Sequence, residues 1–198
     1  MFTSNYLAEM LHQENMDEQD LNKVTVSYKV VESVWGFQIS SVEYDNWKAI
    51  TYAKNFCNKE DNACGVFLNK SGKTDCAHFI AHCLHAGGIS IKMDDPAANY
   101  CPIGLAVRNT AIVAALKRLA ANHGNVTELG ITDAIVGDIG FLSNLLRPSH
   151  AFMLCEPVDL RNPTKPAKVW AHTANKCCED TGAEIRQWFA TLFRITDA

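Results

Sequence analysis

The sequence predicts an α+β fold, with helices in the middle of the chain and an antiparallel β half at its end. Apolar residues recur at helical spacing over residues 44–58, and residues 103–122 are rich in Ala and Leu. Short apolar runs separated by turn residues come later, and they predict strands at residues 138–142, 150–156 and 167–173. A block of helices followed by a block of strands is typical of the α+β class.

The ends of the chain carry weaker patterns. Residues 1–22 are acidic and helix-prone, whereas residues 24–42 alternate in the manner of strands. Residues 186–195 fit either a final strand or a final helix. The chain has no internal repeat and no low-complexity tract, so a single domain with an N-terminal appendage is expected.

Composition and charge exclude several classes of protein. Of the 198 residues, 47% are hydrophobic and 20% are charged, as in an ordinary globular protein. The net charge is −4 and basic residues form no cluster, so nucleic acid is not an expected partner. No apolar run approaches the roughly 20 residues that span a membrane. Residues 1–15 lack the pattern of a signal peptide, which predicts synthesis in the cytoplasm.

Eight cysteines are many for a chain of this length. A domain of this size does not need disulfides to fold, and Cys76, Cys83 and Cys155 lie in apolar segments, as buried free thiols do. We therefore expect folding in a reducing compartment. A Cys57–Cys64 bridge is expected only if the protein later enters an oxidising space.

Cys76 lies at the start of a predicted helix. Asp75 or Thr74 can cap this helix, and Gly87 and Gly88 can end it. A thiol at a helix N-terminus lies near unpaired N–H groups and the positive end of the helix dipole, which favour the nucleophilic thiolate. The same N–H groups can hold a developing oxyanion. The alternative is a buried helix that contains a small apolar cysteine.

Two histidines are predicted to face each other across a hairpin. His150 opens one predicted strand and His172 ends the next; a hairpin centred on residue 161 pairs the two directly. A cysteine, a histidine and a polar side chain can form a triad, in which the histidine takes the thiol proton and the third residue orients the histidine. The alternative is two unrelated strand-end histidines, because a long loop specifies the register weakly.

These motifs follow one another in the order of a known family. The helix at residues 44–56 precedes the Asp-Cys helix, and three further segments follow: Gly137-Asp138-Ile139-Gly140-Phe141, Ser149-His150-Ala151 and His172-Thr173-Ala174-Asn175. The arrangement resembles the putative amidase domain of bacteria, which belongs with the NlpC-type, papain-like cysteine peptidases. The resemblance covers residues 44–195. His78 and His82 depart from it, because the family usually has Asn and Gln there.

The resemblance implies a papain-like fold over residues 44–198, with the nucleophile helix packed against an antiparallel sheet. It implies hydrolysis of an amide or peptide bond without a metal or cofactor. Cys76 is expected as the nucleophile, His150 as the base, and His172 as the third residue, with Asn175 as the alternative.

Residues 1–43 have no counterpart in the family. We treat them as an N-terminal extension that could serve as a lid, a partner-binding arm or a delivery segment.

The expected substrate is peptidoglycan or another peptide-like amide, because enzymes of this type cut stem peptides, other isopeptide bonds, or lipid and small-molecule amides. The absence of a signal peptide fits a cytoplasmic hydrolase. It also fits an antibacterial effector toxin that a dedicated secretion machine delivers to the periplasm of a neighbouring cell. The effector hypothesis adds a delivery or immunity protein as a partner.

Two other function classes stay open. His78, His82 and His85 share one face of the predicted helix at a spacing that can hold zinc, which would indicate a zinc-binding domain. No His-Glu-x-x-His motif accompanies them. The other class is a non-catalytic binding module with a papain-like fold. A thiol-reactive probe and a metal assay separate these classes.

Overall fold

The structure is a computed structural model that describes residues 29–34, 37–41, 43–59, 75–93, 101, 103–144, 147–159, 167–172, 176–180 and 189–196. Within these residues it contains three α-helices, nine β-strands and one short 3-10 helix, so the chain is α+β as predicted. The helices are α1 (Asn46–Phe56), α2 (Cys76–Ala86) and α3 (Asn109–Asn122). The predicted helix over residues 1–22 lies outside the described residues.

A small antiparallel sheet has the strand order β1-β2-β3, with bounds β1 (Lys29–Val34), β2 (Phe37–Ser41) and β3 (Ile89–Met93). Ile39 of β2 pairs with Ile91 of β3, and both side chains are fully buried. Part of the predicted extension therefore belongs to the same core as the residues that follow it. The domain boundary expected near residue 43 stays a prediction.

The large sheet has six strands in the order β4-β9-β5-β6-β7-β8. Every neighbouring pair is antiparallel. Its strands are β4 (Val126–Leu129), β5 (Ile139–Asn144), β6 (Arg147–Leu154), β7 (Lys168–Ala171), β8 (Lys176–Asp180) and β9 (Phe189–Ile195). The final segment is thus a strand, one of the two predicted alternatives.

The main core lies between the helices and one face of the large sheet. Alternate residues of β6 define the two faces, because side chains along a strand point to opposite sides. Ala151 and Met153 pack in the cluster that contains the helices, whereas Phe152 and Leu154 belong to a second apolar cluster. Helix α2 is buried on all sides from Cys76 to Leu84, as expected of a helix enclosed by other elements.

The ends of α1 and α2 follow local chemistry. The Asp45 side chain accepts a hydrogen bond of 3.0 Å from the Lys48 N–H and caps α1. Helix α2 ends at Gly87, whose N–H donates to the Cys83 carbonyl at 3.1 Å. Gly88 then adopts φ 107°, a left-handed conformation that glycine takes readily, and β3 begins at the next residue.

Two predictions about secondary structure are corrected. The helix expected from residue 103 begins only at Asn109, because the preceding segment bonds to β3 instead. The Met93 N–H donates to the Gly104 carbonyl, and the Ala106 N–H donates to the Ile91 carbonyl. Strands β3, β4 and β8 were not predicted; β4 and β8 are short edge strands with little apolar alternation.

None of the helices in the described ranges is both long and apolar enough to cross a membrane.

Candidate active site

Cys76 is the first residue of α2, and three residues from two other elements contact its sulfur. His150 of β6 hydrogen-bonds to the thiol, and the Ala151 N–H donates to the same sulfur. The Asn109 side chain of α3 donates from Nδ2 to Sγ over 3.6 Å. Cys76 is only 2% exposed, so the sulfur is enclosed by these contacts. The structure thus brings together the predicted nucleophile and the predicted base.

The contacts change the acidity of the Cys76 thiol. Burial is the largest single influence and raises the pKa of Cys76, because it disfavours the charged thiolate. The hydrogen bond and charge of His150, together with donation from Ala151 and Asn109, outweigh burial and leave the pKa of Cys76 below its ordinary value. The thiolate is the form that attacks carbonyl carbon, so this arrangement favours nucleophilic chemistry.

Cys83 provides an internal comparison on the same helix. It is a free thiol, as Cys76 is, and it is completely buried. Burial raises the pKa of Cys83 well above its ordinary value. Of the two free thiols of α2, the one at the helix N-terminus is therefore held in an environment that favours the thiolate.

His150 lies in β6 next to an irregularity in the strand pairing. Leu142 of β5 pairs with His150, but Ser143 pairs with Pro148, so the register shifts at this point. The Ser149 hydroxyl donates to the Leu142 carbonyl at 3.1 Å across the shift. Bulges of this kind bend a strand and redirect neighbouring side chains. His150 is half-buried, so it is the more exposed member of the Cys76–His150 pair.

The other predicted histidine, His172, bonds elsewhere. Its Nδ1 lies 2.7 Å from Asp75 Oδ2, and its Nε2 lies 2.6 Å from the Phe56 carbonyl oxygen. Both partners are oxygen atoms that accept hydrogen bonds. The His172 ring also stacks on Phe79 with centroids 4.2 Å apart. His172 is thus joined by a buried hydrogen bond to the residue that precedes Cys76.

The predicted strand register is wrong by one residue. Met153 pairs with Trp170 and Leu154 with Val169, and continuing this pairing places His172 opposite Ala151 rather than His150. The reason is physical: the connecting loop is too long to fix a register, and the buried faces of the two strands decide it instead. The catalytic role expected for His172 stays a prediction. Asn175, the alternative third residue, lies outside the described residues.

Asp75 is the centre of a buried polar network. From the sequence, this residue was expected only as a cap of the helix. Its side chain makes no capping bond to α2 and bonds His172 and His78 instead, the latter at 3.0 Å. Burial is the largest influence and raises the pKa of Asp75. The hydrogen bonds from His172 and His78 outweigh it and lower the pKa of Asp75 below its ordinary value. The first-turn N–H groups of α2 are therefore not capped by this carboxylate.

The histidines of α2 divide into two parts: His78 and His82 are buried, whereas His85 is half-buried. His78 Nε2 and His82 Nε2 lie 3.1 Å apart, and both residues are nearly inaccessible. His85 bonds the Ser90 hydroxyl at 2.6 Å instead. The third potential ligand near the first two is Cys101; the three ligand atoms lie within 4.8 Å of one another. Cys101 is disulfide-bonded, so it offers no thiolate to a metal in this state.

The cysteines contradict the expected pattern of free thiols. Cys57 forms a disulfide with Cys177, not with Cys64, and Cys155 forms one with Cys178. Sequence analysis missed these bonds because the partners are far apart in the chain; the first bridge closes a separation of 120 residues. Cys178 has φ 59°, a left-handed conformation in which adjacent cysteines reach two different partners.

The Gly137-Asp138 motif has a structural role in the described residues. Asp138 accepts two hydrogen bonds from Arg194 of β9, at 3.0 and 2.8 Å, and a third from the Ile135 N–H at 2.7 Å. The hydrogen bond to Asp138 is the main reason that the pKa of Arg194 is raised. Gly137 has φ 89°, and an added Cβ would lie 2.7 Å from the Asn46 side chain. The motif therefore fixes the turn into β5.

Asn109 was missed by sequence analysis. The helix predicted from residue 103 places Asn109 in its second turn rather than at its N-terminus. The glycine at position 104 is the signal in the sequence against a helix that begins at residue 103. In the structure Gly104 has φ 72°, which is not a helical conformation.

The fold and site define an α+β protein with a cysteine–histidine pair at a helix N-terminus. The family described as Putative amidase domain matches residues 43–100. This range contains α1 and the Cys76 helix and ends before His150, so the predicted resemblance is confirmed over the matched residues. The match indicates an amidase-like hydrolase. No curated protein and no solved structure matches the chain significantly.

Proposed function

We propose that the protein is a cysteine hydrolase that cleaves amide bonds, with Cys76 as the nucleophile and His150 as the general base. The observation that supports this most directly is the hydrogen bond between His150 and a helix N-terminal thiol whose pKa is lowered. A papain-like arrangement of helix and antiparallel sheet is part of the same proposal. Its support is the packing of α2 against β6 and β7.

In the proposed reaction His150 carries out every proton transfer, and no metal is required. His150 takes the Cys76 proton, and the thiolate attacks the amide carbonyl carbon to form a C–S bond. The carbonyl oxygen becomes an oxyanion near the first-turn N–H groups of α2, which the Asp75 side chain leaves uncapped. Protonated His150 then gives its proton to the leaving nitrogen as the C–N bond breaks. Water, deprotonated by His150, hydrolyses the thioester and restores the thiol.

We propose an amide of the peptidoglycan stem peptide as the substrate. The disulfides Cys57–Cys177 and Cys155–Cys178 support this, because such bonds persist in oxidising compartments and not in a reducing cytoplasm. Peptidoglycan lies in an oxidising space. An antibacterial effector delivered there by a secretion machine accounts for the disulfides. A delivery or immunity protein is then the expected partner.

The test is digestion of purified peptidoglycan sacculi followed by mass spectrometry of the released muropeptides. Wild-type protein should split a stem-peptide bond, and Cys76→Ala should lose the activity by several orders of magnitude. Cys83→Ala is the matched control, because it removes the other free thiol from the same helix and should stay active. Intact muropeptides with wild-type protein would contradict the substrate. Full activity of Cys76→Ala would contradict the nucleophile.

A second test addresses the compartment. Directing wild-type protein to the periplasm of a test bacterium should lyse the cells, whereas directing Cys76→Ala there should not. Harmless periplasmic expression of an oxidised, folded wild-type protein would contradict the effector proposal.

A further inference from the structure

Asn109 contacts the reacting sulfur from a helix that sequence analysis did not connect with the site. It is the first residue of α3, and α3 packs against both α2 and β6. The Asn109 amide nitrogen donates to Cys76 Sγ over 3.6 Å. The two elements against which α3 packs carry the proposed catalytic pair: α2 carries Cys76, and β6 carries His150. A side chain at this point can act on the sulfur and on a bound substrate together.

The other end of the Asn109 amide has no partner. Its Oδ1 atom is buried and accepts no hydrogen bond from any residue in the described ranges. A buried carbonyl oxygen without a donor destabilises the fold, and such atoms in native proteins call for an explanation. The partner must be an N–H or O–H donor, because an amide oxygen only accepts. A ligand bound next to Cys76 can supply that donor.

The Asn109 side chain is not needed by its own helix. The N-cap residue of α3 is Arg108, and no side-chain capping bond forms at this terminus. Asn109 instead directs its amide toward the sulfur. Its orientation therefore serves Cys76 rather than the start of α3.

We propose that Asn109 is a catalytic residue whose Nδ2 stabilises the Cys76 thiolate by donation and whose Oδ1 accepts the N–H of the scissile amide. This rests on the proposed amide hydrolysis. Asn109 exchanges no proton in the reaction: His150 moves the proton, and Asn109 orients the attacking and leaving atoms. The preferred substrates are accordingly amides that retain an N–H at the scissile bond. Tertiary amides, such as the bond before proline, leave Oδ1 without a partner and are poor substrates.

The donor is tested by alkylation of Cys76 with iodoacetamide as a function of pH, quantified by peptide mass spectrometry. Asn109→Ala should raise the midpoint of the pH profile and lower the rate at pH 6 by about tenfold, as expected for the loss of one hydrogen bond to a charged group. Thr110→Ala is the matched control, because Thr110 is the exposed next residue of α3 and should leave the profile unchanged.

The acceptor is tested with 2-iodo-N,N-dimethylacetamide, which alkylates the same thiolate but has no N–H. The measured quantity is the ratio of the alkylation rate with iodoacetamide to the rate with this probe, and free glutathione gives the intrinsic ratio for a thiol. Wild-type Cys76 should show a higher ratio than glutathione. In Asn109→Ala the ratio for Cys76 should fall to that of glutathione. An unchanged preference in Asn109→Ala would contradict the acceptor role. An unchanged pH profile would contradict the donor role.

Asn109→Asp is a second variant that keeps the test usable if Asn109→Ala does not fold. Its side chain has the same shape as that of Asn109 but carries a carboxylate in place of the N–H donor. It should slow alkylation more than Asn109→Ala does, since a negative charge near sulfur disfavours the thiolate. Faster alkylation of Asn109→Asp than of wild type would overturn the proposal.

Digestion of sacculi separates this proposal from the proposed function. Asn109→Ala should lose about a hundredfold in kcat/KM. An inactive Cys76→Ala beside a fully active Asn109→Ala would overturn the role of Asn109 alone. Full activity of Cys76→Ala would overturn the proposed function, while the alkylation profiles would still decide what Asn109 does to the thiolate.

Discussion

The carboxylate of Asp75 lies 2.7 Å from His172 Nδ1, and both side chains are almost completely buried. This pair joins the residue before the proposed nucleophile to the end of β7, which is 97 positions away in the chain. The contact fixes where α2 begins relative to the large sheet. His172 thus supports the position of Cys76 through Asp75.

Asp75→Asn should destabilise the fold by about 3 kcal/mol at neutral pH, because it removes the buried carboxylate that hydrogen-bonds both His172 and His78. The pKa of Asp75 is lowered in the folded state, so its stabilisation is present above the unfolded value and lost as pH falls through the folded value. Chemical denaturation from pH 7 to pH 3 should therefore show a shrinking difference between variant and wild type. Glu43→Gln, at an exposed carboxylate, should show no such difference.

Arg194→Met should lower the free energy of unfolding by about 2 kcal/mol, because the buried Asp138 carboxylate loses two charge-assisted hydrogen bonds. Lys117→Met is the matched control. Its pair with Glu128 spans 3.5 Å with both side chains about half exposed, so its loss should change stability by less than about 0.5 kcal/mol. Urea titrations of both variants measure the difference. Equal effects would contradict a structural role for the Gly137-Asp138 turn.

Peptide mapping of unreduced protein should find the linkages Cys57–Cys177 and Cys155–Cys178, with Cys76 and Cys83 as thiols. Cys57→Ser should then destabilise the protein by about 2–4 kcal/mol, since it opens a long covalent loop in the unfolded chain. Thermal unfolding with and without reductant measures this loss. A Cys57–Cys64 linkage would contradict the structure.

Chelators should leave hydrolysis by the oxidised protein unchanged, whereas alkylation of Cys76 should abolish it. The reason is that the proposed reaction passes through Cys76 and His150, while Cys101 near His78 and His82 is held in a disulfide. His82→Gln provides the comparison. Loss of activity with chelator, restored by zinc in wild type but not in His82→Gln, would favour the zinc-binding alternative.

Local signals explain which parts of this site could be predicted. Cys76, apolar helical spacing and the Gly87-Gly88 stop lie within one short stretch, so the nucleophile helix follows from the sequence, although Asp75 does not cap it. His150 was expected to open an apolar strand, and it is instead the fourth residue of β6 (Arg147–Leu154). The nucleophile helix depends on neighbours along the chain, and the structure agrees with its start at Cys76 and its end at Gly87.

The parts that could not be predicted depend on tertiary packing. The one-residue shift of the β6–β7 register depends on buried faces and not on loop composition. The partner of Asp75 and the partner of Cys57 are both distant in sequence. The start of α3 at Asn109 depends on backbone hydrogen bonds between the preceding segment and β3.

The central claim is that His150 activates Cys76, and the pH profile of Cys76 alkylation in His150→Gln tests it most directly. The wild-type midpoint should lie below the usual thiol range, with Cys76 labelled far faster than Cys83. His150→Gln should move the Cys76 midpoint upward and slow labelling at pH 6 by at least about tenfold. An unchanged Cys76 profile in folded His150→Gln, or faster labelling of Cys83 than of Cys76, would contradict the account.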